Sequence, residues 1–171
     1  MKKMMAFVLS AMLLSGCSAK YNAAEVTKST ELMVRNKTVV IAQPENGIYE
    51  TTVYTGSGGA TSQAVLSAFS RYTDNASVVL ACATFECLKE KRALTDGYYV
   101  VPRILHWEDR ATEWSGLPDK IELKITVYNS ATDRVIASSI LSGKSKWLTF
   151  GGDHPQDLLT QPINSYVTSL Y

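Results

Sequence analysis

The sequence predicts an α/β domain: a mixed five-stranded sheet with a parallel centre, an antiparallel edge and helices packed on it, in the order β-α-β-α-β-β-β-α. Three observations carry this expectation. Two near-continuous β-branched runs, Lys37-Thr38-Val39-Val40-Ile41-Ala42 and Ser77-Val78-Val79-Leu80-Ala81, have the pattern of strands covered on both faces. Between them Val65, Phe69 and Tyr72 recur at helical spacing with Leu66 beside them, the apolar stripe of a crossover helix. Further on the period changes to two, because Ile121, Leu123, Ile125 and Val127 alternate with Lys120, Glu122, Lys124 and Thr126.

In chain order, the first segment is not part of that domain. Lys2 and Lys3 precede a short apolar run ending in Leu14-Ser15-Gly16-Cys17, too short for the roughly 20 residues that span a bilayer and built like a secretory leader. It resembles the bacterial lipobox, which implies cleavage of residues 1–16, acylation of Cys17 by three chains including palmitate, and lasting attachment at about 0.8 kcal/mol per buried methylene. By the same resemblance, Ser18 after the cysteine implies sorting to the outer membrane of a Gram-negative envelope, with the domain facing the periplasm. Residues 17–36 are polar, without glycine or proline, and read as the anchor and a flexible tether; an extra edge strand or short helix is the alternative. The globular domain is expected over residues 37–171.

Within it, Thr61 or Ser62 offers an N-cap for the first helix, expected to about Tyr72. Strand, helix and strand over this span form a right-handed parallel βαβ unit, with both strands expected in the middle of the sheet. A second helix, about Phe85 to Leu94 and closed by Gly97, leads into the strand Tyr98 to Leu105, where Pro102 marks a bulge or an edge position. The alternating strand at Lys120 turns at Asn129 to Asp133 into another, about Arg134 to Lys144. Leu159, Ile163, Tyr166, Val167 and Leu170 form the stripe of a terminal helix with Pro162 in its first turn, and Asp153-His154-Pro155 caps a short preceding turn.

Export makes the cysteines informative. Cys17 is taken by lipid, which leaves Cys82 and Cys87 as an even pair in an oxidising compartment, expected as a disulfide. Residues five apart on one helix lie about 8 Å apart, beyond the usual Cα separation of about 4.4 to 6.8 Å, so a turn must intervene. Bulk charge excludes a nucleic-acid footprint: 17 Lys+Arg stand against 16 Asp+Glu, and Lys2 and Lys3 leave with the leader.

Candidate chemistry concentrates in the connection from His106 to Asp119, long for a hairpin. Trp107, Glu108, Asp109, Arg110, Glu113 and Trp114 combine aromatic anchors with charged orienters, as contact surfaces do. The competing reading is an internally packed loop in which the tryptophans cap the core and Arg110 bridges a carboxylate. His106, Glu108, Asp109 and His154 hold the atoms of a metal-dependent or hydrolytic site, but none of their spacings is that of a zinc motif, and no metal or other cofactor is expected. Thr55-Gly56-Ser57-Gly58-Gly59 has Thr55 where a nucleophile elbow needs glycine two residues before its serine, and it lacks the Gly-Lys-Ser/Thr end of a phosphate loop, so its glycines read as backbone freedom at a strand-to-helix loop.

Trp107 to Gly116, with Gly151-Gly152-Asp153-His154-Pro155 and the Pro162-Ile163 helix, resembles an uncharacterised family of bacterial lipoproteins over about Lys37 to Tyr171. In layout the domain is also similar to the amino-terminal domain of the Tol translocation protein TolB and to the lipoprotein activators of penicillin-binding proteins. The resemblance implies no active site. The sequence thus leads to a lipid-anchored, non-enzymatic envelope module that contacts a protein or polymer partner through the Trp107 to Trp114 loop. A hydrolase or metal enzyme, or a purely structural lipoprotein, is the alternative.

Overall fold

The computed structural model describes residues 19–28, 31–110, 117–146 and 154–171. Its main sheet has six strands: β1 (Lys20–Thr27), β2 (Thr38–Ala42), β5 (Ala76–Val79), β6 (Gly97–Glu108), β7 (Lys120–Asn129) and β8 (Val135–Lys144), in the spatial order β1-β8-β7-β6-β2-β5. A two-stranded hairpin, β3 (Ile48–Tyr49) and β4 (Thr52–Val53), forms a separate ladder that packs on β6. β2 runs parallel to both β5 and β6, while β6, β7, β8 and β1 pair antiparallel in succession.

The α/β class and the mixed sheet are as expected, with two corrections. The sixth strand is β1, from the segment expected as tether; its alternative reading as an edge strand is the one the structure shows. Lys20 to Glu25 pair in register with Lys144 to Ser139 of β8. Residues beyond β1 are also tied to the domain: Met33 is buried, and its N–H donates to the carbonyl of Leu170 at 2.7 Å. The second correction concerns the parallel strands. β5 stands at an exposed edge, not in the middle, and each of its four residues is half-buried while Leu80 beyond it is 67% exposed. β-Branched content marks a strand but not its place; the ten- and twelve-residue strands β6, β7 and β8 outgrow the parallel pair and take the centre.

The helices are α1 (Ser57–Phe69), α2 (Phe85–Lys91) and α3 (Thr160–Ser169), the last preceded by a 3₁₀ turn at Pro155–Leu158. The larger core joins Val39, Ile41, Val100, Leu123, Ile125 and Val127 of the sheet to Val65 and Phe69 of α1 and Ile163 and Val167 of α3. On the opposite face, α2 covers the parallel half, where Leu88 packs on Val40, Ala42 and Tyr99, and reaches the end of β7, where Phe85 stacks on Tyr128 with ring centroids 4.2 Å apart. The antiparallel half of that face carries the alternate, polar residues of β7. Among the described residues no helix is long and apolar enough to cross a membrane.

α1 starts at Ser57, four residues before the expected cap, because the preceding loop is locked. Ser57 Oγ accepts from Gly47 N–H at 2.8 Å and donates to the Tyr54 carbonyl at 2.7 Å. Gly58 lies so close to the Pro44 carbonyl that a Cβ there would sit 2.2 Å from its oxygen. Gly58 thus serves close approach, Gly56 supplies the left-handed turn at φ 91°, and Ser57 is buried in that joint.

Thr84 caps α2, accepting from Cys87 N–H at 3.2 Å, and the turn it closes brings Cys82 and Cys87 into a disulfide with Cα atoms 5.6 Å apart. The helix stops at Lys91, and Gly97 opens β6 rather than closing the helix. Replacing both cysteines by serine should cost about 2 kcal/mol, since a five-residue loop removes little chain entropy; urea titration of the double variant beside the reduced wild type measures it. Pro102 falls just past Ile41 and Val100, where the β2 ladder ends, so its missing N–H leaves no bond unmade.

Candidate functional site

A β-bulge builds the site. Ile104 pairs with Leu123 and His106 with Glu122, which leaves Leu105 as the extra residue of β6. The bulge resets the alternation: Ile104 and Trp107 both turn to the core, and His106 and Glu108 both turn to the other face. Without it, Trp107 would share a face with Arg103.

Glu108 is the centre of a charged cluster and its side chain is only 1% exposed. One oxygen, Oε2, lies 3.0 Å from His106 Nε2 and 3.1 Å from Lys120 Nζ; the other, Oε1, accepts from Arg110 Nε. Arg110 also donates to the Tyr49 hydroxyl at 3.0 Å and lies 5.7 Å from that ring's centroid, and Tyr49 packs edge-on against His106. Burial pushes the Glu108 carboxyl pKa up, but hydrogen bonds from His106, Lys120 and Arg110 and the Lys120 charge outweigh it and bring it down to about 2. Arg110 is correspondingly held above its usual range, first by the bond to Glu108. The result is a fixed anion whose lone pairs are committed.

The ends of the long connection are clamped. Arg110 N–H donates to Asp119 Oδ1 at 2.6 Å, and Asp119, fully buried, exchanges bonds with Ser145 through its N–H at 2.9 Å and its carbonyl at 3.0 Å. Asp109 stands apart from Glu108, with Oδ1 3.7 Å from Nδ1 of His154, the residue that caps the 3₁₀ turn.

Trp107 is 2% exposed and belongs to the core, so the packed reading holds for it and it is withdrawn from the contact surface. Glu108 is withdrawn as well, because its carboxylate is covered by its own partners. Asp109 is exposed and Arg110 half-buried. Glu113, Trp114 and Cys17 lie outside the described residues. The candidate metal set divides into two separate pairs, His106 with Glu108 and Asp109 with His154, and among the described residues no three such side chains converge. No sequence pattern points to Tyr49 or Lys120 as members of the cluster. Tyr49 is 61 residues from Arg110 on a two-residue strand without periodicity, and Lys120 belonged to a wet face whose partner depends on register.

This fold and cluster define a small α/β domain, built on one six-stranded mixed sheet and a short hairpin, with a structural ion network on the polar face of the main sheet. The chain belongs to the family described as a domain of unknown function (DUF4823), whose model matches residues 31–170. Among curated proteins no sequence matches. Among solved structures, the PelC dodecamer from Paraburkholderia phytofirmans superposes with a TM-score of 0.65 at 11% identity, over 89% of this chain and 96% of that one. Protein XCC0632 from Xanthomonas campestris, of family DUF330, gives 0.53 at 16% identity over 91% and 94%. Lipoprotein GNA1162 from Neisseria meningitidis gives 0.43 at 12% identity over 78% and 96%. The first two share this fold.

Proposed function

We propose that this chain is a lipid-anchored, non-catalytic envelope lipoprotein, held by acylated Cys17 at the outer membrane and working as a binding or assembly module in the periplasm. The observation that supports it best is the state of Glu108. A carboxylate held at about 2 by hydrogen bonds from Arg110, Lys120 and His106 is a poor proton acceptor at neutral pH, so the most chemically loaded part of the domain is invested in structure. The likeness to PelC, solved as a dodecamer, favours assembly among copies as one form of that work. With Trp107 and Glu108 withdrawn, the contact surface is assigned to Asp109, Arg110 and the segment through Glu113 and Trp114 to Leu117.

Replacing Cys17 with serine tests the anchor. The wild-type protein should sediment with outer membranes and yield an amino-terminal peptide beginning at Cys17 with the mass of three acyl chains. The variant should lose that mass and enter the soluble periplasmic fraction. A variant that stays membrane-bound with its leader processed as before overturns the anchor. Photocrosslinking from Trp114 in cells, read by mass spectrometry, tests the surface: a single protein or polymer adduct, or a crosslink to a second copy, supports it, and no adduct above a Lys89 control overturns it.

A further inference from the structure

The register of the sheet places three lysines side by side. Lys20 of β1 pairs with Lys144 of β8, Lys144 pairs with Lys120 of β7, and Lys120 pairs with Glu108 of β6, so one row across the sheet reads Lys-Lys-Lys-Glu at a spacing of about 4.8 Å between strands. Like charges directly opposite one another oppose strand pairing. Among the described residues only Lys120 of the three has an acidic partner, Glu108, whose charge it shares with Arg110 and His106. Lys146 adds a further exposed cation just beyond β8. Of the neighbouring acids, Asp109 faces His154 and Asp119 is buried against the Arg110 backbone, while Glu122 stands in the adjoining row beside His106, so one carboxylate borders three lysines. A shallow cleft of about 290 Å³ opens beside it, lined by Lys20, Asn22, His106, Lys120, Glu122 and Lys144.

The row lies at the end of the sheet where β1 begins. Three peptide links separate Cys17 from Lys20, and at 3.8 Å per link they reach no more than about 11 Å. That is close to the distance of about 8 to 10 Å over which charges act in physiological salt. A lipid on Cys17 therefore brings this end of the domain, and no other, to the headgroups.

We propose that the Lys20–Lys144–Lys120 row is a docking edge for anionic lipid headgroups, which seats the domain on the leaflet in one orientation. This rests on the lipid anchor at Cys17. Repulsion within the row is relieved by the negative surface, and each lysine held there favours the docked orientation about fivefold.

The test uses the full acylated protein in vesicles of phosphatidylcholine alone or with about a third phosphatidylglycerol, labelled with an amine reagent and read by mass spectrometry. Lys20, Lys120 and Lys144 should label about tenfold more slowly on the anionic vesicles, while Lys28, at the other end of β1, is unchanged. In a variant with Lys20→Gln and Lys144→Gln, which keeps the partner of Glu108, the added protection of Lys120 should vanish, a loss of about 25-fold in docked preference. Equal labelling on both vesicle types overturns the docking edge. So does protection on neutral vesicles by inorganic phosphate or soluble polyphosphate equal to that given by the anionic lipid, which would make the row a site for soluble anions. The mass of the Cys17 peptide from the same digest separates the failures: acyl chains present without lysine protection sink the docking edge alone, and acyl chains absent sink the anchor.

Discussion

Replacing Glu108 with glutamine is expected to lower the melting temperature by about 10 °C at pH 7, and that loss should shrink as the pH falls. The amide keeps the shape but removes the charge to which Arg110, Lys120 and His106 converge, leaving three donors gathered around a group that can satisfy them only in part. A carboxyl brought from 4.5 down to about 2 on folding contributes roughly 3 kcal/mol at neutral pH. In a domain of this size each kcal/mol is worth about 3 °C. The sign follows from the direction of the shift. Because the folded pKa lies below the unfolded one, the stabilisation is fully present above about 4.5 and disappears as the pH drops through about 2. Thermal melts of wild type and variant at pH 7, 4 and 2.5 should therefore converge at the acid end. A gap of the same size at pH 7 and pH 2.5 would show that Glu108 acts through shape and not charge.

What the sequence makes legible here, and what it hides, follows from how each element is held. β2, α1, β7 and α3 are held by buried apolar side chains, and burial leaves a period: Ile121 to Val127 for the strand, Leu159 to Leu170 for the helix. β1 leaves none. Seven of its eight residues are exposed, and it stays on the sheet by backbone bonds to β8, which any residue type except proline can make. β5 was recognisable as a strand from its valines, but its place at the edge depends on the relative lengths of strands far away in sequence. The site divides in the same way. His106 and Glu108 are two apart and their shared face could be read directly, whereas the inward turn of Trp107 requires the bulge at Leu105, and the ion network requires a register that delivers Lys120. The lysine row needs both, since no window of sequence holds Lys20, Lys120 and Lys144 together.

Truncating Trp107 to alanine should be the most damaging single change, costing about 3 to 5 kcal/mol. Its indole is 2% exposed in the main core, and the hairpin side of it is closed by Gly47, where a Cβ would come within 2.5 Å of the Trp107 Cβ. No side chain can be added at Gly47 to refill the space, so the cavity stays and its cost adds to the lost burial. The damage should spread to the cluster, because β3 carries Tyr49 from this packing to Arg110. Leu105→Ala is the matched control: the bulged neighbour is 39% exposed and should lose no more than about 0.5 kcal/mol. Urea unfolding of the two variants, followed by circular dichroism, separates the alternatives that the sequence left open. If Trp107 anchored a partner, the alanine variant would keep wild-type stability and lose the crosslink. If it packs the core, stability collapses at Trp107 and holds at Leu105, as an indole closed off between the sheet and Gly47 requires.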